Sequence, residues 1–152
     1  MTNFRTAALS VGCFLALATA SPQLIAASDD AGAEGLVTKM GYIQRYLHKL
    51  DLSVQADNAR LAGYYIHELE ELVEELAEAG VIYEGHQVGA LTESMLTPAI
   101  EALENALETG GDADAAVGGL VAQCNACHVA TERSWMKIER ARSNPFNQDF
   151  SP

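Results

Sequence analysis

Cysteine is scarce in this 152-residue chain, with only Cys13, Cys124 and Cys127. A scaffold stapled by several disulfides is thereby excluded. Proline is nearly as rare: of four, only Pro98 falls between residues 23 and 144, so long helices meet little interruption. Basic side chains number 9 against 21 acidic ones, for a net charge of -12. Most of such a surface repels a phosphate backbone, which argues against nucleic acid as a partner. No stretch alternates with period two for long enough to suggest a sheet. Paired general acid and base, a nucleophile constellation and a phosphate-cradling glycine loop are all missing, so enzymatic turnover has no support.

What is present starts with a leader. Residues 1 to 20 hold Arg5, an apolar run from Ala7 to Ala18 and a small-x-small pattern at Ala18-Thr19-Ala20. This reads as a secretory signal peptide spanning 1–27, with cleavage between 20 and 28. The apolar run is too short for a permanent membrane anchor. Cys13 lies inside it, so the exported chain would keep only Cys124 and Cys127. A periplasmic or otherwise exported protein is expected.

The remaining residues, 28–152, suffice for one domain, and 49% hydrophobic content with mean hydropathy +0.02 suits one core. After the polar entry SDDAGAEG, Leu36, Met40, Ile43, Leu47, Leu50 and Val54 recur at helical spacing from about Glu34. Asp57 is a candidate cap for a second helix striped by Leu61, Tyr65, Leu69, Leu72 and Leu76, whose other side carries Glu70, Glu71, Glu74, Glu75 and Glu78. Gly80 should end it. A third pattern runs through Val88, Leu91, Met95, Ala102, Leu103 and Leu107, with Pro98 either kinking or restarting it. Thr109-Gly110-Gly111 is a stop, and Asp112 or Asp114 can cap a fourth helix expected to reach Arg142, with Trp135 and Ile138 on its buried face. Asn144-Pro145 then leaves an extended tail from about 143, which Phe146 and Phe150 can pin. The expected fold is all-α, an up-down-up-down four-helix bundle.

The fourth helix carries Cys124-Asn125-Ala126-Cys127-His128. Two cysteines one helical turn apart with an adjacent histidine match covalent haem attachment, the sulfurs meeting the porphyrin vinyl groups and His128 lying beneath the iron as proximal ligand. A zinc site would need a second Cys/His pair, and a thioredoxin-like motif would need βαβ patterning; neither is there. One covalent haem c is the expected cofactor.

The distal side must come from the earlier helices. His128 lies 16 residues after Asp112, roughly 24 Å along the helix at ~1.5 Å per residue. Counting back equally along an antiparallel first helix reaches Thr38, and the nearest core-facing residue is Met40, whose thioether is an accepted partner of histidine. Leu91 and Met95 reach the same level as pocket walls. His48 is the alternative distal ligand, though higher and at the edge of the stripe. Met136 follows His128 and serves only if the chain bends back at Thr131. His67 on the glutamate face and His86 in a loop read as exposed or connecting residues, and Tyr42, Tyr46, Tyr64 and Tyr65 as core or rim aromatics.

A signal peptide, four amphipathic helices and Cys124, Cys127 and His128 on the last of them resemble the class II cytochromes c, over roughly residues 34–142. The resemblance implies a methionine of the first helix as distal ligand in low-spin members, the role matching Met40. High-spin members leave that site empty and bind nitric oxide or carbon monoxide. The expectation is a periplasmic monohaem electron carrier serving redox protein partners. The alternatives are a five-coordinate gas-binding protein and a haem subunit docked onto a larger redox complex, and a homodimer is possible.

Overall fold

The computed structural model describes residues 23–152, with side chains from Gly35 onward. The leader segment 1–22, Cys13 included, lies outside the described residues. Four helices, α1 (Gln23–Gln55), α2 (Ala59–Glu78), α3 (Val88–Thr109) and α4 (Ala113–Ala130), account for the regular structure, and no strand occurs among the described residues. None of these helices is long and apolar enough to cross a membrane. α1 starts well before Glu34: the SDDAGAEG segment, expected to be a loose entry, continues it, as its alanines and the lack of proline permit.

The apolar stripes meet in one core. Leu36, Ile43, Leu47 and Leu50 face inward from α1, and Ala62, Tyr65, Leu69, Val73 and Leu76 from α2. On α3 the buried face is Val88, Thr92, Leu96, Ile100 and Leu103, rotated by about one residue from the expected pattern, so Leu91 and Met95 are half-buried and Ala102 is exposed. On α4 it is Val117, Leu120, Cys124 and Cys127. Each fully buried leucine here, such as Leu50 or Leu103, contributes about 1.5–3 kcal/mol of apolar burial. α1 packs on α2, α2 on α3 and α3 on α4, whereas α1 and α4 touch only sparsely.

The helix ends follow local chemistry, with two departures from expectation. Asn58, not Asp57, caps α2, its Oδ1 accepting from the Leu61 N–H at 3.0 Å, while Asp57 takes a left-handed φ of 57°. Gly80, at φ 57°, ends α2 in a paired 5→2 and 6→1 closure. Just beyond, Gly89 has no room for a side chain, because a Cβ there would run into the Leu76 carbonyl. Pro98 sits inside α3 without ending it. Gly110, at φ 71°, ends α3, and Asp112 caps α4 through the Ala115 N–H at 2.9 Å.

The second departure is larger. α4 stops at Ala130 rather than Arg142, and the extended tail begins at Thr131, not near 143. Glu132 takes φ 61° and its N–H reaches the Val129 carbonyl, while the Arg133 N–H reaches the His128 carbonyl at 2.6 Å. This is the same closure that Gly80 makes for α2, built without glycine at about 1–3 kcal/mol of backbone strain. Bonds around Arg133 offset it: the guanidinium pairs with Glu84, bonds the Thr131 carbonyl and lies 4.7 Å over the Tyr83 ring. Trp135 consequently stands 73% exposed instead of continuing a buried face.

From there the tail runs back over α4 and α1. Arg140 reaches Asp51 on α1 and Asp114 on α4. Gln148 accepts from Lys49 and Tyr65, and Asn58 donates to the Phe150 and Ser151 carbonyls. Phe150 is buried and Phe146 half-buried, so both aromatics do pin the tail.

Candidate functional site

Helical periodicity places Cys124 and Cys127 on the buried face of α4, 8% and 7% exposed, and both thiols are free. Cys124 shares a cavity of about 10 Å³ with Ile43, Leu47, Leu69, Val73, Leu96, Ile100 and Leu120. Such a space holds a single water at most, so Cys124 lies in a dry, packed environment. Burial, reinforced by the neighbouring Cys127, pushes the Cys124 thiol up to about 11. Burial also raises Cys127, with the Thr92 hydroxyl pulling the other way. Redox-active cysteine pairs depend on a depressed thiol, and this pair is shifted in the opposite sense.

Thr92 adds a detail. Its hydroxyl is the buried side-chain oxygen that lacks a hydrogen-bond partner among the described residues, and although it faces Cys127 it does not reach hydrogen-bonding geometry with it. A buried unpaired hydroxyl costs about 1–3 kcal/mol, so an arrangement that tolerates it beside a buried thiol calls for explanation.

His128, half-buried at the end of α4, has Nδ1 3.0 Å from the Met136 carbonyl. A carbonyl only accepts, so Nδ1 carries a proton, and in the neutral ring Nε2 then presents its lone pair. No described residue hydrogen-bonds Nε2. The bend at Thr131 makes this possible: it brings Met136 back beside the motif, offering its backbone to His128 while its side chain stays exposed. No group of three or more His, Cys, Asp or Glu side chains is arranged to hold a metal ion among the described residues. Two thiols on one helical face and a histidine with its second nitrogen free match in residue type what a covalently tethered porphyrin requires, and they lack the further ligands that a structural zinc needs.

The other site residues are dispersed. Met40 is half-buried at the edge of the core on α1. Leu91 and Met95 are half-buried on α3. His48 is engaged elsewhere: its Nε2 lies 3.0 Å from the Ser143 carbonyl and its ring meets Phe146 edge-on. His67 is exposed and pairs with Glu71 one turn on, while His86 closes a two-residue turn with Tyr83.

Sequence reasoning overlooked Asn125, Asp51 and Arg140. Asn125, a spacer between the cysteines, accepts from the Ile138 N–H at 2.8 Å and donates to the Ile138 and Val121 carbonyls at 2.9 and 3.0 Å. Asp51 is 1% exposed and receives Arg140, Gln55 and the Ala141 N–H. Burial pushes its carboxyl up, but those hydrogen bonds and the Arg140 charge together hold it below the ordinary carboxylate range. The signals were faint: an acidic residue one step from Leu50 on an apolar face, and an arginine in an otherwise acidic protein.

No protein-family model matches this chain, and neither the curated proteins nor the solved structures provide a significant match.

Proposed function

We propose that this chain is an exported monohaem c-type cytochrome that carries single electrons between redox protein partners. Cys124 and Cys127 would hold the haem covalently, His128 would be the proximal ligand and Met40 the distal one. When bound, the haem supplies the one-electron iron couple. The chain's own residues bind it, orient the proximal imidazole and exclude water. The observation that carries the reading is the His128 tautomer, with Nδ1 committed to the Met136 carbonyl and Nε2 left for a metal, next to two free thiols on one face.

Packing levels favour Met40 and an up-down-up-down arrangement. Cys124 shares its cavity with Ile43 and Leu47 of α1 and with Leu96 and Ile100 of α3, and one turn further along α4 Cys127 faces Thr92. α3 therefore descends as α4 advances. On the same count, one turn back from Ile43 brings α1 to Met40 at the level of His128. The sparse contact between α1 and α4 leaves that side of the bundle the easiest to open around a flat group. Val129, Trp135 and Met136, exposed beside the motif, suit a protein partner.

A five-coordinate protein that binds small gases is the second reading. It is favoured by the way Met40 packs into the core edge like its apolar neighbours, as a pocket wall would beside Leu91 and Met95. The test is to produce the full chain in an oxidising compartment with haem-attachment machinery, alone and as Met40→Ala, His48→Ala and Cys124→Ser/Cys127→Ser. The carrier reading expects a mass increased by one haem, lost only in the double cysteine variant. It also expects a low-spin spectrum that becomes high-spin and takes up carbon monoxide in Met40→Ala alone. A high-spin spectrum from the start supports the gas-binding reading, and a bare-polypeptide mass rejects both.

A further inference from the structure

Building on the haem reading above, we infer that Asn125 is a positioning residue: it holds the Met136 carbonyl on His128 Nδ1 and so sets how strongly His128 donates to iron. The carbonyl belongs to a segment without regular structure, so something must fix its place. Behind it, the Met136 N–H closes a turn onto the Arg133 carbonyl at 2.8 Å, and Arg133 is itself held by the His128 carbonyl, Thr131, Glu84 and the Tyr83 ring. Two residues ahead, Asn125 grips both the N–H and the C=O of Ile138. Met136 is thus pinned between two anchors.

The choice of residue matters. Gripping one backbone residue at both its N–H and its C=O needs a donor and an acceptor side by side, which a carboxamide supplies and a carboxylate or methyl group does not. Asn125 uses its oxygen on the Ile138 N–H and shares its NH₂ between the Ile138 and Val121 carbonyls, so the tail is tied to the helix that carries the cysteines. The spacer between the sulfurs and the acceptor for the proximal imidazole therefore move as one unit.

The consequence is electronic. A carbonyl accepting from Nδ1 makes Nε2 a better donor, and a better donor favours the ferric state over the ferrous. Releasing the carbonyl should weaken that preference about tenfold, which is ~59 mV of upward shift for a one-electron couple.

The experiment compares the haem-loaded full chain with Asn125→Ala, which removes the whole grip, with Ile138→Pro, which removes its N–H half, and with the double variant. Midpoint potential is measured together with solvent exchange of the His128 Nδ1 proton by NMR, and helix content by circular dichroism. The expected result is slow exchange in the parent protein, faster exchange and a rise in potential in either variant, the smaller rise in Ile138→Pro, unchanged helix content, and no rise in the double variant beyond that of Asn125→Ala. Loaded variants whose potential and exchange match the parent overturn the inference and leave the haem reading intact. Exchange at the solvent rate in the parent overturns it too, which decides the matter even if neither variant folds. A parent chain with the mass of bare polypeptide ends the haem reading and this inference together.

Discussion

The four helices and the tail that wraps them are held by different forces. Helix packing rests on apolar stripes in which Leu50, Leu76 and Leu103 are fully buried and almost every neighbour is interchangeable in kind. The tail, residues 131–152, buries little apolar surface apart from Ile138, Phe146 and Phe150, because Trp135 and Met136 face outward. It is placed by specific polar partners instead: Arg140 on Asp51 and Asp114, Asn125 on Ile138, Gln148 on Tyr65 and Lys49, Asn58 on the last carbonyls. Apolar burial tells a segment to be inside; directional bonds tell an irregular segment where to lie. The Met136 carbonyl that faces His128 Nδ1 is placed by the second kind of force.

The largest expected effect is on the apolar side of that contrast. Leu103→Ala should cost about 4 kcal/mol, the loss of a fully buried leucine plus an unfilled cavity, read by denaturant unfolding. On the polar side, Arg140→Ala should cost roughly 3 kcal/mol, because it strands a buried carboxylate. Replacing both partners, Arg140→Met with Asp51→Leu, should recover much of that loss. If Arg140→Ala unfolds at the parent's denaturant midpoint, the tail merely rides on the bundle and the contrast fails.

The same clasp has a pH signature. Asp51 is held below its ordinary value in the folded chain, so the unfolded chain takes up the proton first as acid is added. The clasp's contribution is complete above about pH 3.9, the unfolded value, and falls away as pH drops from there through the folded one. Asp51→Asn should be less stable than the parent at neutral pH and should lose this part of the acid dependence, as seen by melting across that range.

A smaller effect tests the close approach of α2 and α3. Gly89→Ala should cost about 2 kcal/mol, since its methyl group meets the Leu76 carbonyl rather than a yielding side chain. The smallest concerns the acidic face. Partial burial, with Glu104 and Glu74 nearby, raises the Glu70 carboxyl. Ionised Glu70 is therefore a modest penalty, present at neutral pH and absent once the unfolded group is protonated as well. Glu70→Gln should melt slightly higher than the parent at pH 7 and no differently below about pH 4.

How much of this was legible follows the same division. Gly80 and Gly110 announced the ends of α2 and α3, because a residue without Cβ marks the left-handed position openly. Glu132 occupies that position at the end of α4 without the marker, so periodicity alone runs the helix on to Arg142 and puts Trp135 inside. The α3 stripe lies one residue away from the sequence pattern because Leu91 and Met95 are as apolar as Leu96 and Ile100, and periodicity alone does not choose between adjacent faces of such a helix. The placement of Cys124, Cys127 and His128 on one turn of α4 follows from their spacing, whereas Asn125 reads as a spacer, since nothing near it in sequence reveals that Ile138 comes back to meet it.

By itself the sequence determined four helical segments and a pair of cysteines with a histidine on one turn of the last, because these depend on contacts within a few residues along the chain. Tertiary structure alone decided the tail's return, the Asp51–Arg140 clasp across 89 positions, and the nitrogen on which His128 keeps its proton. A polar side chain offers its bonds to any partner or to water, and only the fold, by excluding water and bringing one distant backbone group within reach, selects among them.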